Sequence, residues 1–291
     1  MKLGAIDIGS NAIRLQVTNV LETPDGPFFK KLEYVRFPMR LGKDVFDTGK
    51  ISEGQKEKFL QLMHAFKILI DLYELTDYMG CATSAMREAE NGAQIIKLVK
   101  DTYDLNIDII DGEEEAQMIN NAILSYLDER TYLHIDVGGG STELNVYKEG
   151  RKIQSASFKI GSVRRLSMTD APATWKEMED WVRSNFLLRK ERPIAVGTGG
   201  NINKFFELAK LKSGRIMSLN RLLAIQKLIR EMPFEQRLLE LQLNPDRADV
   251  IIPASEIYVS VMKWAGSHSI LVPSVGLKDG MMKMLYERNT Q

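Results

Sequence analysis

The sequence predicts an α/β protein of two domains, in which one order of strands and helices occurs twice and a cleft lies between the domains. The first observation is a repeated segment: an apolar strand, an aspartate, a glycine turn, a serine and a second strand occur around Asp7 and again around Asp136. The second is the predicted order in each half, which is three strands, a helix, a strand and a helix. The third is the length of 291 residues, which suits two domains of ordinary size.

In the first half, three strands are predicted because apolar and polar residues alternate as on a half-buried sheet. Helices are predicted where apolar residues recur every three or four positions, and Ser52 with Gln55 has the pattern of a capping box. Asn91-Gly92 and Asp111-Gly112 mark turns. The predicted strands are Leu3–Ile8, Arg14–Val20, Phe28–Phe37, Tyr78–Ala82 and Ile107–Ile110, and the predicted helices run from Ser52 to Tyr73, through Arg87, after Gly92, and from Glu113 to Tyr126.

The second half repeats this order, and Asn244-Pro245 has the residue types of a helix start. Its predicted strands are Thr131–Val137, Thr142–Tyr147, Lys152–Lys159, Ile194–Val196 and Ile270–Val272, and its predicted helices are Thr174–Leu188, Asn201–Leu211, Leu219–Arg230 and a last one from Leu277. The repeated order is that of the duplicated actin/hexokinase/Hsp70-like (ribonuclease H-like) fold. The predicted domains are residues 1–124 and 125–291, with the hinge near 120–130 and the last helix expected to pack back on the first domain.

Composition is that of a globular protein, with 44% hydrophobic and 27% charged residues. No apolar run approaches the ~18 residues of a membrane span, and no signal-peptide pattern opens the chain, so a cytoplasmic location without a membrane partner is expected. Residues 1–124 carry an excess of about six negative charges and residues 125–291 an equal positive excess. A basic cleft attracts polyanions, but the sequence contains no nucleic-acid-binding motif, so nucleic acid is not an expected partner.

The repeated turns suit a phosphate chain with a divalent cation. Glycines let a backbone turn closely around a ligand, successive turn N–H groups make a concave anion site, and an aspartate at each strand end can hold a cation or its waters. A single Asp-x-Gly-Ser is commonly a structural hairpin turn, so the prediction depends on the pair. The residues predicted to bind phosphate are Asp7, Gly9, Ser10 and Asn11 in the first copy and Gly138, Gly139, Gly140 and Ser141 in the second.

Three further segments fit phosphoryl transfer. A carboxylate among Glu113–Glu115 can orient and deprotonate an attacking water, although acidic residues in a first helical turn also simply offset the helix dipole. Arg87, near a helix start, can neutralise a transferring phosphoryl group, although such an arginine also commonly forms a surface ion pair. A third glycine turn offers further backbone donors, or is a plain tight turn, and it consists of Gly197, Thr198, Gly199 and Gly200.

The metal chemistry is limited by residue content. The chain has three histidines without paired spacing, which disfavours zinc. Oxygen ligands from Asp136 and Glu143 suit Mg²⁺, completed by waters and substrate phosphates. The sequence has no P-loop motif. It also lacks the cysteine loop of a cysteine phosphatase, because its single cysteine, Cys81, lies in a predicted buried strand.

Taken together, these motifs resemble the exopolyphosphatase and guanosine pentaphosphate phosphohydrolase (Ppx/GppA) family, in its short two-domain form. The resemblance covers essentially the whole chain. Five segments in order carry it: 7–11, 82–89, 112–116, 136–143 and 197–200, with later similarity at 247–253 and 276–280.

The resemblance implies a role for each site residue. Glu115 is the general base, Arg87 contacts the terminal phosphates, and Asp136 and Glu143 serve Mg²⁺. Backbone N–H groups of 138–141, with Ser10 and Asn11, cradle phosphates. Water attacks directly and orthophosphate leaves from the end of inorganic polyphosphate, without a covalent enzyme intermediate. The resemblance also implies a homodimer.

The chain departs from the family pattern at several positions. Ala12 and Gln117 replace a serine and an arginine and so remove two phosphate contacts, and Arg165 follows the Gly-Ser-Val-Arg segment where leucine is usual. Longer members carry an additional helical domain, so weak processivity on long chains is expected.

Several functions stay open at this point. The predicted substrate is polyphosphate, with pppGpp as the alternative, and the sequence separates the two poorly. A small-molecule kinase on the same fold needs a nucleoside pocket. A non-catalytic polyphosphate or nucleotide sensor is disfavoured because all four charged site residues are present.

Overall fold

The computed structural model describes residues 1–186, 192–211 and 214–290. The chain divides into two compact units: Met1–Ala122 with Gly276–Gln291 form unit 1, and Ile123–Val275 form unit 2. The sequence predicts two domains that meet between residues 124 and 125. The two compact units do not test this domain boundary, which stays a prediction.

Unit 1 is an α/β unit with one mixed sheet. In the described residues the strand order is β3-β2-β1-β4-β5. The pairs β3–β2 and β2–β1 are antiparallel, and the pairs β1–β4 and β4–β5 are parallel. Its elements up to residue 123 are β1 (Lys2–Ile8), β2 (Ile13–Thr23), β3 (Gly26–Phe37), α1 (Leu41–Thr48), α2 (Glu53–Leu72), β4 (Asp77–Ala82), α3 (Ser84–Glu88), α4 (Gly92–Tyr103), β5 (Asp108–Ile109) and α5 (Gly112–Ile123).

Unit 2 repeats this plan. Its described residues form the sheet β10-β11-β9-β6-β7-β8, in which β6, β9 and β11 are parallel. A 3₁₀ turn (Leu124–Tyr126) opens the unit, and its further elements are β6 (Tyr132–Val137), β7 (Thr142–Lys148), β8 (Arg151–Phe158), α6 (Ser162–Leu166), α7 (Pro172–Phe186), β9 (Ile194–Thr198), α8 (Gly200–Ala209), β10 (Ile216–Ser218), α9 (Leu219–Glu231), α10 (Phe234–Leu239), α11 (Pro245–Ala248), α12 (Ile251–Trp264) and β11 (Ser269–Leu271). A last helix, α13 (Leu277–Thr290), belongs to unit 1.

The first four strands of each unit have the same order across the sheet, third-second-first-fourth along the chain. The next strand across the sheet is the fifth, β5, in unit 1 and the sixth, β11, in unit 2, where the fifth, β10, lies at the edge. The predicted duplicated α/β fold is therefore confirmed. The predicted helix Thr174–Leu188 is α7, and its last two predicted residues lie outside the described residues.

Helix α2 forms where the sequence predicts it and buries the predicted stripe. Phe59, Met63, Phe66 and Ile70 are enclosed in the unit 1 core. The predicted capping box is only half correct: Ser52 accepts the Gln55 N–H (3.4 Å), but the Ser52 N–H donates to Asp44 (3.1 Å). The side chain of Gln55 donates instead to the Met39 carbonyl (3.1 Å).

Helix α12 is the centre of the unit 2 core. It contacts α6, α7, α8, α9 and strand β6, and eight of its fourteen residues are buried. A helix enclosed on most of its sides has no polar face, so it shows little amphipathic period in sequence.

Helix α13 completes unit 1 by packing on β1 and β4. Its closest approach is to α5, where a Cβ built on Gly280 would lie 1.8 Å from the carbonyl oxygen of Met118. Lys283 also donates to the Asn121 carbonyl (2.8 Å). Only glycine lets the two helices meet at this distance.

Gly280→Ala is therefore expected to destabilise unit 1 by about 1–3 kcal/mol, because α13 must shift to make room for the methyl group. Urea unfolding followed by circular dichroism measures the change. The matched control is Gly54→Ala in α2, whose added methyl meets open space and is expected to leave stability unchanged or raise it by up to about 1 kcal/mol. Equal midpoints for wild type and Gly280→Ala would contradict the packing argument.

Candidate active site

In unit 1, three predicted site segments meet at one edge of the sheet. They follow the parallel strands β1, β4 and β5, and they are the turn at 9–11, the start of α3 at Ser84, and the segment 111–115. The N–H of Thr83 donates to the carbonyl of Ile8 (3.0 Å), which extends the pairing past the strand ends. The carboxyl edge of parallel strands is where open α/β sheets bind ligands.

Side chains also join these segments. The hydroxyls of Ser10 and Ser84 share a buried hydrogen bond (2.8 Å). Nη1 of Arg87, which is half-buried, donates to the carbonyl of Ile110, immediately before the acidic segment. Through this bond the guanidinium holds the end of β5, which leads to Glu115. The predicted contact of Arg87 with terminal phosphates stays a prediction.

Two backbone N–H groups of the first glycine turn point away from helix α1, which holds the turn through hydrogen bonds. The carbonyls of Ser10 and Asn11 accept hydrogen bonds from the N–H groups of Gly42 (2.8 Å) and Arg40 (3.0 Å) at the start of α1. Because the C=O and N–H of one peptide plane point in opposite directions, the amides of Asn11 and Ala12 point away from α1. Successive amides that point the same way are the donors of backbone anion sites, and the phosphate contacts predicted for 9–11 stay predictions.

Asp7, predicted among the phosphate-site residues, is paired with a cation of the protein itself. Its carboxylate accepts from the Arg14 guanidinium at 2.7 Å. Burial alone would lower the pKa of Arg14, but the charge of Asp7 and the neighbouring Tyr34 raise it above its ordinary value. Nη1 of Arg14 also lies 3.5 Å from where a Cβ on Gly9 would stand.

The sequence analysis missed Arg14 as a candidate site residue and placed it only in the alternation of a strand. The signal was present, because a hairpin closed by the turn at 9–12 puts residue 14 opposite residue 7.

The structure separates the three glutamates of the acidic segment. Asp111 Oδ1 accepts the N–H groups of Glu113 (2.8 Å) and Glu114 (2.9 Å), and Glu114 Oε2 accepts the Asp111 N–H (2.9 Å). This is a capping box, so the predicted structural explanation holds for Asp111 and Glu114. Glu113 is exposed, whereas Glu115 is half-buried and has one enclosed carboxylate oxygen. Glu115 is the carboxylate whose placement suits proton transfer.

Cys81 lies close to several negatively charged side chains at this edge of the unit 1 sheet. It lies in β4, in register with Asp7 on one side and Asp108 on the other. Burial, followed by the charges of Asp7, Asp108 and Glu115, raises the pKa of the Cys81 thiol to about 12. The thiol therefore stays protonated at neutral pH and is a core residue, as predicted.

In unit 2, the two predicted metal ligands are direct neighbours. Asp136 of β6 pairs in register with Glu143 of β7 and, on its other side, with Thr198 of β9. Residues in register point to the same face of a sheet. Ser157 extends the row and donates from Oγ to Glu143 Oε1 (3.0 Å).

The duplication makes the two units comparable position by position. The equivalent rows are Arg14, Asp7 and Cys81 in unit 1, and Glu143, Asp136 and Thr198 in unit 2. Beside its aspartate, unit 1 has an arginine, and unit 2 has a second carboxylate. The aspartate of unit 1 therefore lies in register with a positively charged residue of the protein, whereas the aspartate of unit 2 lies in register with another acidic residue.

These residues fit Mg²⁺. Mg²⁺ is commonly held by one or two carboxylates and completed by waters and substrate phosphates. Glu143 is only 2% exposed, and a buried carboxylate needs compensation by charge or hydrogen bonds. Among the described residues, no group of three or more His, Cys, Asp or Glu side chains is arranged to hold a metal.

The second glycine turn is braced in the same way as the first. Three carbonyls of the turn accept hydrogen bonds from α6. The Gly138 carbonyl accepts from the Ser162 N–H (3.0 Å), and the Gly139 carbonyl accepts from the N–H groups of Val163 (2.8 Å) and Arg164 (3.0 Å). The Gly140 carbonyl accepts from Arg164 Nε (2.8 Å). By the same peptide geometry, the amides of 139, 140 and 141 point away from α6. These three successive amides lie in the turn that joins Asp136 to Glu143, and the phosphate contacts predicted for 138–141 stay predictions.

The third glycine turn lies against Asp136. A Cβ on Gly199, whose φ is +105°, would be 3.4 Å from Asp136 Oδ1, and Gly200 begins α8. Gly197 is different, because its Cβ would stand 2.8 Å from Ile270, which gives this glycine a packing reason. The phosphate contacts predicted for 197–200 stay predictions.

Arg164 matches the family pattern and Arg165 departs from it, and the structure gives each a role. Arg164 Nε holds the Gly140 carbonyl, as described above. Arg165 forms ion pairs with Glu256 (2.7 Å) and Asp170 (3.1 Å) and stacks on Trp175. Arg165 is therefore a packing residue of unit 2.

Across residues 1–186, 192–211 and 214–290, none of the helices has the length and apolar character needed to cross a membrane.

Comparison with known proteins identifies the family. The sequence profile of the Ppx/GppA phosphatase family matches residues 20–288. The chain is 27% identical to a bifunctional 3-dehydroquinate synthase/phosphatase of Fusobacterium nucleatum subsp. nucleatum, covering 97% of this chain and 46% of that protein, about half its length. It is 22% identical to exopolyphosphatase 1 of Mycobacterium bovis, covering 97% of this chain and 87% of the relative.

A solved structure shows the same fold. The Ppx/GppA family member of Aquifex aeolicus is 24% identical and superposes with a TM-score of 0.79, covering 100% of this chain and 99% of that one. The motifs predicted from sequence, the duplicated sheets and the profile match agree with one another. The chain belongs to the Ppx/GppA phosphatase family and is a phosphohydrolase that acts on acid anhydride bonds.

Proposed function

We propose that this protein is a Mg²⁺-dependent exopolyphosphatase that releases orthophosphate from the end of inorganic polyphosphate. The observation that carries the proposal is the row in unit 2, where Asp136 and Glu143 lie in register beside the three outward amides of 139–141. That arrangement suits one phosphate and one divalent cation. The likeness to an exopolyphosphatase over 97% of the chain supports the choice of substrate.

The proposed reaction is direct hydrolysis. A water oxygen attacks the terminal phosphorus, Glu115 accepts the proton of that water, and the bond to the bridging oxygen breaks, leaving orthophosphate and a chain shorter by one phosphate. Arg87 neutralises charge on the terminal phosphate. Bound Mg²⁺ supplies Lewis-acid stabilisation of the phosphate oxygens.

The glycine turns contribute binding through the backbone. Amides of 11–12 in unit 1 and of 139–141 in unit 2 donate to phosphate oxygens, and the third turn at 199–200 offers further donors. Backbone donors recognise phosphate without selecting a base or a sugar, so the described contacts suit a polymer of phosphate better than a nucleotide.

The deciding experiment measures orthophosphate release with Mg²⁺ from short polyphosphate, long polyphosphate, pppGpp and ATP. Release from polyphosphate that is abolished by chelation supports the proposal, and the chain-length profile tests the expected weak processivity. Release only from pppGpp would show that pppGpp, and not polyphosphate, is the substrate. Binding of these ligands without release would make the protein a sensor and overturn the enzymatic proposal.

The proposal includes a homodimer, which the family resemblance implies, and a cytoplasmic location, which the sequence pattern leads us to expect. Light scattering coupled to size exclusion measures the first. Fractionation of the source cells measures the second.

A further inference from the structure

One face of the unit 2 sheet carries a chain of hydrogen-bonded polar side chains that runs from the exposed Ser155 into the core. Ser155 Oγ donates to Asn145 Oδ1 (2.7 Å), Asn145 Nδ2 contacts His134 Nδ1 (3.0 Å), and His134 Nε2 contacts Thr198 Oγ1 (2.9 Å). His134, Asn145 and Thr198 are fully enclosed. The chain ends beside Asp136, because Thr198 is the register partner of Asp136 and His134 lies two residues before it in β6.

The partners fix which nitrogen of His134 carries the proton. The amide group of Asn145 donates to Nδ1, so Nδ1 is an acceptor, and the proton of a neutral ring is on Nε2. Since Asn145 Oδ1 accepts from Ser155, the Asn145 group facing Nδ1 is its N–H donor, and a ring whose Nδ1 accepts a hydrogen bond is neutral. Nε2–H therefore donates to the hydroxyl oxygen of Thr198.

This direction has a consequence for Thr198. A hydroxyl has one hydrogen to donate, and since its oxygen already accepts from His134, that hydrogen is directed towards another acceptor. Asp136 is the register partner of Thr198 in the neighbouring strand, so its carboxylate lies on the same face of the sheet. Carboxylates that bind metals are typically held by such outer hydrogen bonds.

We propose that His134 is a positioning residue, which acts through Thr198 to hold a hydrogen-bond donor against Asp136 and so orients this carboxylate for Mg²⁺. The inference rests on the proposed function, because it assigns His134 a part in the metal half of the same site.

The duplicated fold supplies an internal comparison. The position of His134, two residues before the aspartate, is occupied in unit 1 by Ala5, and the partner of Ala5 in register is Gln16, which bonds to Thr18. The sheet can therefore be built without the histidine. The polar chain occurs in the unit whose aspartate stands beside a second carboxylate.

The first test reads the tautomer directly. The protein has three histidines, so ¹⁵N-histidine labelling and long-range ¹H–¹⁵N correlation resolve each ring, with His134→Gln assigning the signals. A neutral ring protonated at Nε2 is expected for His134. A ring protonated at Nδ1 would reverse the hydrogen-bond chain and overturn the proposal.

The second test measures binding of Mn²⁺, as a stand-in for Mg²⁺, by electron paramagnetic resonance without substrate. His134→Phe is expected to weaken Mn²⁺ binding about 10–100-fold, the cost typical of losing an outer-shell partner. His134→Gln, which keeps a terminal N–H donor, is expected to restore most of it. A structural role alone would not produce that rescue.

The matched control removes a buried polar group elsewhere in unit 2. Gln226 donates to Ser255 (2.8 Å) in the helical layer, and Gln226→Leu is expected to change stability while leaving Mn²⁺ affinity unchanged. If His134→Phe also leaves Mn²⁺ affinity unchanged while wild type releases phosphate, the role of His134 is overturned and the proposed function stands. If wild type itself binds no Mn²⁺, both are overturned.

Discussion

Replacing Glu115 with glutamine is expected to lower the turnover number on polyphosphate by about 10²–10⁴-fold, the usual cost of removing a general base. The amide keeps the shape of the carboxylate and loses its basicity, so substrate binding should be largely kept. Steady-state phosphate release gives the turnover number, and isothermal titration of the variant with polyphosphate gives the affinity. Lost binding with unchanged turnover per bound substrate would contradict the role.

The neighbouring acids provide the controls. Glu113→Gln removes the same charge from the same helical turn, at an exposed position whose own N–H serves the cap. It is expected to leave turnover within about twofold, because surface substitutions rarely matter beyond ±0.5 kcal/mol. Glu114→Gln tests the cap itself, since Glu114 Oε2 accepts the Asp111 N–H. An effect of Glu113→Gln equal to that of Glu115→Gln would mean that helix charge, not proton transfer, is being measured.

Replacing Asp136 with asparagine is expected to raise the Mg²⁺ concentration needed for half-maximal activity by about tenfold or more, since even outer-shell partners cost about 10–100-fold. The substitution keeps the size of the side chain and removes one of two adjacent negative charges. A Mg²⁺ titration of phosphate release is the measurement. An unchanged midpoint would count against Asp136 as a ligand.

The duplicated sheet offers a control for the metal prediction. Asp7→Asn makes the same substitution at the equivalent position of unit 1, where Arg14 supplies the positive charge. Whatever it does to turnover, it is expected to leave the Mg²⁺ midpoint unchanged. A shift as large as that of Asp136→Asn would show that the metal requirement is not confined to the row of unit 2.

The fold was predictable where local patterns and local structure agree. Helix α2 and the strands around both glycine turns have the periodicity of half-buried elements, and the structure has them at those places. Helix α12 was missed because it is buried on most sides and has Pro253 in its first turn, so neither a polar face nor a clean start is visible. Strand β10 was missed because its three residues, Ile216–Ser218, hold one buried side chain and form no apolar run like that at 270–272.

The candidate site was predictable as segments and less so as contacts. The sequence indicates that the acidic segment matters, but the choice among its glutamates depends on a cap that only coordinates show. It missed α1, whose backbone N–H groups hold the first glycine turn. The cross-strand partner of Asp7 is Arg14 and that of Asp136 is Glu143. These partners follow from strand register, which fixes which side chains are neighbours across a sheet.

The position of α13 has a consequence for how the protein is made. Because residues 276–290 complete unit 1, that unit is discontinuous in sequence, and the residues of unit 2 are inserted within it. During synthesis, residues 1–122 leave the ribosome first but lack the helix that covers β1 and β4, whereas unit 2 is contiguous and has all its elements once residue 275 has emerged. Domains tend to fold as units as they emerge. Unit 2, although second along the chain, can thus fold first, and the apolar face of the nascent unit 1 stays uncovered until α13 arrives.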